Sequence, residues 1–236
     1  MLLFMLYIGI GGRSGSRMGK RADTVLAATI IREIQRGNPE KALTSIDRFL
    51  EKKPGEPALL NLKGVSLDML GKHTESLSCY EQALLADPSP AIYWNNKGLA
   101  LQNLGRYNDA ELAYREALSR DSESLEASYN LANTLQSLGR FDEALVLYDL
   151  ALDIRPDHLL ALLNKGNALA SLKRFEDAIA CYLEVLDIRP DYPDAAYNIA
   201  HTYEEMGKVK DARDWYSKTL IIDPDYHHAT EQLKSL

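Results

Sequence analysis

The stretch of sequence that decides the fold is SLGRFDEALVLYDLALDIRPD, at residues 137–157. A closely similar sequence occurs 34 residues earlier, NLGRYNDAELAYREALSRDSE at 103–123, and another occurs 34 residues later, SLKRFEDAIACYLEVLDIRPD at 171–191. A fixed period of this length indicates an array of small units, because no single unit is large enough to bury its own apolar face.

Aligning the chain with itself at this period places similar residues in columns. A column of small residues contains Gly64, Gly98, Ala132, Gly166 and Ala200. A turn column contains Gly71, Gly105, Gly139, Lys173 and Gly207. A tyrosine column contains Tyr80, Tyr114, Tyr148, Tyr182 and Tyr216. The columns predict five units that begin at residues 57, 91, 125, 159 and 193, after a less regular unit at 23–56.

Each unit predicts two helices of about fourteen residues. In the unit at 125–158, Leu131 and Leu135 lie on one helical face, Gly139 ends the first helix, and Pro156 ends the second. Small residues allow the helix axes to approach to about 8–10 Å, and tyrosine fills the space beside them. The expected fold is all-α, a right-handed α-solenoid (superhelix) of stacked helix-turn-helix hairpins.

This pattern resembles the tetratricopeptide repeat, TPR, whose signature is W-x2-L-G-x2-Y…A-x3-F…P. The most similar copy contains Trp94, Gly98, Leu101, Ala110, Tyr114 and Ala117. It departs from the signature at Lys97, where Leu is usual, and at Ser122, where Pro is usual. The resemblance implies a helical array with a concave groove that binds protein or peptide partners.

The expected organisation has three parts. Residues 1–22 form a flexible or weakly ordered N-terminal extension, and residues 227–236 form a short capping helix. Between them, 23–226 contain six repeats, at 23–56, 57–90, 91–124, 125–158, 159–192 and 193–226. The apolar run at residues 1–10 is shorter than the roughly 20 residues that span a bilayer, so a membrane location is not expected.

Composition excludes several classes of function. Residues 23–236 hold 23 basic and 34 acidic residues, a formal charge of −11, which disfavours nucleic acid as a partner. The two cysteines, Cys79 and Cys181, suit a reducing cytoplasm, and we expect both to be buried free thiols. No motif for a metal, a cofactor or a catalytic group is present, so we expect no cofactor and no enzymatic activity.

Register within the repeats identifies the candidate binding residues on the first helices. The column Asn96, Asn130, Asn164 and Asn198 is joined one turn farther on by Asn133 and Asn167, and Tyr129 and Tyr197 face the same groove. An asparagine amide both donates and accepts hydrogen bonds, as the backbone of an extended peptide does. With layers about 10 Å apart and an extended chain rising about 3.3 Å per residue, one amide would meet every third residue.

The column is similar to the asparagine ladder of the O-linked N-acetylglucosamine transferases. Asparagine is equally a filler of the repeat, satisfied by solvent or by neighbouring helices, and both interpretations stay open at this point. The columns that would form the carboxylate clamp of chaperone-binding members contain no Lys or Arg, which predicts that no such clamp is present.

The sequence therefore predicts a protein-binding scaffold or adaptor in the cytoplasm. Two alternatives are a substrate-recruiting or regulatory subunit of a separate enzyme, such as a glycosyltransferase, and an assembly factor tethered to a membrane by residues 1–10. The brief capping helix leads us to expect that Trp215, Leu220 and Ile222 are partly bare. Such an apolar end favours self-association.

Overall fold

A computed structural model describes residues 27–236 of the chain. The predicted extension at 1–22 lies outside the described residues. The chain divides into two compact units: the first ends at Asp121, and the second is Ser122–Leu236.

The described part of the first unit consists of helical hairpins. The helices are α1 (27–35 in its described part), α2 (Pro39–Leu50), α3 (Pro57–Met69), α4 (His73–Ala86), α5 (Ala91–Asn103) and α6 (Tyr107–Arg120). Helix α3 packs against α4 as a hairpin, α5 packs against α6, and α3 also contacts α5. The hairpins begin at Pro57 and Ala91, the first residues of two predicted repeats.

The second unit repeats this arrangement and ends in a single short helix. Its helices are α7 (Leu125–Ser137), α8 (Phe141–Ile154), α9 (Leu159–Ser171), α10 (Phe175–Ile188), α11 (Pro193–Glu205), α12 (Val209–Ile222) and α13 (His227–Ser235). The first helices of successive hairpins touch, since α9 contacts both α7 and α11. Each unit is thus an all-α stack of hairpins of the solenoid type.

The column of small residues exists because a tyrosine ring occupies the space beside it. A Cβ atom built on Gly64 or Gly166 would stand 2.4 Å from Cε1 of Tyr80 or Tyr182, far inside contact distance. All five tyrosines of the column are fully buried. Packing against tyrosine therefore explains the pairing of the two columns.

The turn between the two helices of a hairpin is a Schellman motif. Gly139 has φ 74°, its N–H donates to the carbonyl of Gln136, and the N–H of Arg140 donates to the carbonyl of Leu135. The same bonds form around Lys173, which adopts φ 59° although it is not glycine. The turn geometry is thus kept where the favoured residue is absent.

Lysines of the first helices hold neighbouring hairpins together. Lys63 Nζ lies 2.7 Å from Asp47 Oδ1 on α2, and Lys165 Nζ lies 2.7 Å from Asp149 Oδ1 on α8. Both bonds join a first helix to the second helix of the preceding hairpin.

Within residues 27–236, no helix is long and apolar enough to cross a membrane.

Candidate functional site

Seven of the eight predicted groove residues lie in the second unit, on three first helices. Helix α7 carries Tyr129, Asn130 and Asn133, helix α9 carries Asn164 and Asn167, and helix α11 carries Tyr197 and Asn198. Because α9 contacts both α7 and α11, these side chains share one surface of the unit. We call this surface the first-helix face.

The amides of the first-helix face bond to one another. Asn164 Nδ2 donates to Asn133 Oδ1 at 2.9 Å, and Asn198 Nδ2 donates to Asn167 Oδ1 at 3.0 Å. Asn164 Nδ2 also donates to the hydroxyl of Tyr129 at 3.1 Å. These four asparagines therefore link adjacent hairpins, which is the structural role of the filler interpretation.

Buried tyrosines complete this network. The hydroxyl of Tyr148 donates to Asn133 Oδ1 at 2.7 Å, and that of Tyr182 donates to Asn167 Oδ1 at 2.8 Å. Burial raises the pKa of both tyrosines, so the hydroxyls remain protonated donors. Asn167 Oδ1 thus accepts two bonds, which fixes the orientation of its amide. Asn133 Oδ1 accepts one bond from Asn164 and shares the single hydroxyl proton of Tyr148 with Gln136.

The side-chain N–H groups of Asn133 and Asn167 remain available to donate hydrogen bonds. Within residues 27–236, neither Nδ2 donates to a protein acceptor, whereas their oxygens are fully used. Two oriented N–H2 groups, one repeat apart, can donate to the carbonyl oxygens of an extended chain. Asn164 and Asn198 thus donate to the amide oxygens of Asn133 and Asn167.

A pocket of about 220 Å³ opens beside Asn167 on the first-helix face. Its lining consists of Asn167, Ala170, Ser171, Tyr182, Asn198, His201, Thr202 and Glu205, and we call it the amide pocket. The lining includes a small side chain at residue 170. The equivalent residues Gln102, Gln136 and Glu204 are long and accept the hydroxyl of their own tyrosine, whereas Ala170 cannot.

Asn96, the eighth predicted residue, lies in the first unit and is only 3% exposed. Its Nδ2 donates to Asn61 Oδ1 at 2.9 Å, a bond between α3 and α5. It also lines a pocket of about 190 Å³, together with Val65 and Leu99 among others. Val65 and Leu99 occupy the positions equivalent to Asn133 and Asn167, so the pocket of the first unit has no outward amide donor there.

The two tyrosines predicted for the groove are half-buried and surrounded by rings. Tyr129 lies 5.0 Å from the ring of His158, and Tyr197 lies 5.2 Å from the ring of Tyr226.

Among residues 27–236, no group of three or more His, Cys, Asp and Glu side chains could hold a metal ion.

Sequence reasoning missed the role of the tyrosine hydroxyls and of residue 170. The signal was present as a spacing, because each tyrosine of the column follows a polar residue by twelve positions except Tyr182, which follows Ala170.

Comparison with known families identifies the class of repeat. A tetratricopeptide repeat model matches residues 89–157, 123–191 and 157–225, and a second tetratricopeptide repeat model matches 29–90. The chain belongs to the tetratricopeptide repeat family, whose members generally act as scaffolds for protein interactions. No curated protein matches the chain significantly.

Solved structures share the fold at low sequence identity. YrrB, described as a TPR protein with an unusual peptide-binding site, is 22% identical, with a TM-score of 0.69 over 81% of this chain and 98% of its own. Pseudomonas aeruginosa PilF is 17% identical, with a TM-score of 0.78 over 92% and 99%. PilW, described as a type IV pilus biogenesis factor, is 16% identical, with a TM-score of 0.81 over 90% and 99%.

Proposed function

We propose that this chain is a non-enzymatic, cytoplasmic scaffold that binds an extended segment of a partner protein on the first-helix face of its second unit. The observation that carries the proposal is the amide pocket, where the donor pair of Asn167 stands oriented beside an opening of about 220 Å³. In YrrB, a protein of the same fold, a peptide-binding site is described.

The oriented amides favour a peptide backbone over a small molecule. A carbonyl oxygen of an extended chain takes one N–H of Asn167, and a second carbonyl about three residues away takes one N–H of Asn133. These hydrogen bonds recognise the backbone of the bound peptide, and the pocket beside Ala170 can hold one of its side chains. Fixing the amides in advance lowers the entropy lost on binding.

The test fills the amide pocket without damaging the fold. Ala170→Gln supplies the residue found at the equivalent positions 102 and 136, where glutamine accepts a tyrosine hydroxyl, so the variant should fold at least as stably as the wild type. Ala180→Gln, at an exposed position of α10, is the matched control. Peptides selected from a random display library against the full chain supply the ligands.

We expect Ala170→Gln to weaken binding of the selected peptides by a factor on the order of ten or more, and Ala180→Gln to leave it unchanged. Isothermal titration calorimetry measures both affinities, and circular dichroism checks that the fold is intact. Failure to select any peptide, or equal binding by both variants, would refute the proposal.

A further inference from the structure

A cluster of aromatic rings and carboxylates lies next to the amide pocket, between α11 and α13. The ring of Tyr197 lies 5.2 Å from that of Tyr226, 6.4 Å from that of His228 and 6.3 Å from that of His201. We call these four residues the Tyr197 cluster. His201 also lines the amide pocket, so the two features are continuous.

Three carboxylates surround the cluster. Asp194 Oδ1 accepts the hydroxyl of Tyr226 at 2.8 Å, Glu204 lies on the same helix as Tyr197, and Glu231 Oε2 lies 4.0 Å from His228 Nδ1. Burial, followed by the charges of Glu204 and Glu231, raises the pKa of Tyr197. The rings therefore sit in a field of negative charge.

Four other partly exposed rings of the described residues carry a cation of their own. Arg120 lies 4.7 Å from the ring centre of Trp94, and Lys218 lies 4.1 Å from that of Trp215. Arg189 stands over Tyr192 and Lys208 over Tyr203, at 5.5 and 5.7 Å. Across residues 27–236, no lysine or arginine stands over the ring of Tyr197 or Tyr226.

The first-helix face has no lysine or arginine that is placed to bind the rings of the Tyr197 cluster. Lys165 is the only basic residue of α7, α9 and α11, and it is paired with Asp149 of α8. The acids of these helices are Glu126, Asp194, Glu204 and Glu205. Rings and carboxylates together attract a cation more strongly than either group alone, since the face of an aromatic ring is electronegative.

We infer that the Tyr197 cluster binds the side chain of a lysine or arginine in the partner segment. The inference rests on the proposed function, because the bound segment supplies this side chain. That segment would continue from the amide pocket past His201. It makes the preferred partner a basic extended segment. Charge complementarity with the acidic first-helix face supports the same choice.

The test compares a cation with its neutral isostere. N-acetyl-arginine methylamide and N-acetyl-citrulline methylamide have nearly the same shape, and only the first is charged. Both are titrated into the full chain while backbone NMR shifts are followed. We expect arginine to shift residues 194–201 and 226–231, and citrulline to bind about 3- to 30-fold more weakly, the range of a cation–π contact.

Two variants locate the effect. Glu231→Gln removes a charge from a side chain that is 77% exposed, so it cannot unfold the chain, and Tyr197→Leu removes the ring but keeps an apolar side chain. Both should weaken the arginine complex, and Lys234→Gln, on the same helix, should not. Equal binding of arginine and citrulline, or an arginine affinity that neither variant changes, would overturn the inference.

The two proposals fail in different ways. Ala170→Gln should weaken binding of the library peptides and leave binding of the arginine probe unchanged. If the library yields peptides without enrichment in lysine or arginine, the scaffold proposal stands and the cation inference is wrong. If arginine binds the cluster but the library yields no peptide, the cation site stands and the peptide proposal is wrong.

Discussion

The hydroxyl of Tyr182 donates to Oδ1 of Asn167 at 2.8 Å, and this bond takes the place of one that every other layer makes twelve residues upstream of its tyrosine. In that layer the upstream residue is Ala170, so Asn167 Oδ1 is the acceptor of this buried hydroxyl. Asn167 also lines the amide pocket. A binding feature and a stability requirement therefore meet in one asparagine.

We expect Asn167→Ala to lower the free energy of unfolding by about 1–3 kcal/mol, because a buried hydroxyl loses its acceptor. Asn133→Ala should cost less, since Tyr148 keeps a second acceptor in Gln136 at 2.7 Å. Urea denaturation with unchanged m values measures both. Adding Ala170→Gln to Asn167→Ala should restore most of the loss, and equal losses in the two single variants would contradict the assignment.

The pairing of Gly166 with Tyr182 gives a second prediction. A Cβ at position 166 would stand 2.4 Å from the tyrosine ring, so Gly166→Val should lower the free energy of unfolding by about 1–3 kcal/mol or more through overpacking. Gly166→Ala should cost much less, since Ala132 and Ala200 occupy the same column and helix propensity favours alanine over glycine. Ala180→Val, on the exposed side of α10, measures the intrinsic cost of valine in a helix. A urea midpoint for Gly166→Val equal to that control would show that the ring moves freely.

The turn at Lys173 gives a third prediction. A side chain at φ 59° is strained by about 1–2 kcal/mol, whereas the equivalent residues Gly71, Gly105, Gly139 and Gly207 are not. Glycine gains entropy in the unfolded chain, which offsets part of that strain. Lys173→Gly should therefore stabilise the chain by about 0.5–1 kcal/mol, and the reverse change Gly139→Lys should destabilise it. Thermal unfolding of both variants checks the sign, and a lower melting temperature for Lys173→Gly would contradict the argument.

Much of the architecture was predictable from the sequence because it follows from residues that recur at one spacing. The turn glycines and the tyrosine column gave the helices, their order and their all-α stacking, which the structure confirms. Placement of Asn133 and Asn167 beside Asn164 and Asn198 was predictable for the same reason. The orientation of each amide could not be predicted from the sequence, because it depends on hydrogen bonds from Tyr148 and Tyr182 on the other helix of the hairpin.

The Tyr197 cluster could not be read from the repeat pattern. It combines Tyr197 and His201 of α11 with Tyr226 and His228, which lie at and just after the start of α13. The sequence indicated a short cap there and an apolar end. The structure shows Trp215 and Leu220 half-buried against that cap, while the ring of Tyr197 lies among carboxylates.

His158 gives a prediction of pH dependence. It is the N-cap of α9, where Nδ1 accepts the N–H of Ala161 at 3.1 Å, so the bond requires an unprotonated Nδ1. Burial is the largest effect and lowers the pKa of His158 from 6.5. A hydrogen bond to its own backbone opposes this, Arg155 lowers the pKa further, and Asp157 and Glu126 raise it by smaller amounts. The folded state thus binds this proton less readily than the unfolded state.

The sign follows from that difference. The contribution of His158 to stability is fully present above the unfolded pKa of 6.5 and is lost as pH falls through that value towards the lowered pKa of the folded state. His158→Asn keeps a side-chain oxygen that can cap the helix but does not titrate. Between pH 8 and pH 5 we expect the urea midpoint of the wild type to fall more steeply than that of His158→Asn, with similar values at pH 8. Parallel curves would show that protonation of His158 does not oppose folding and would contradict this prediction.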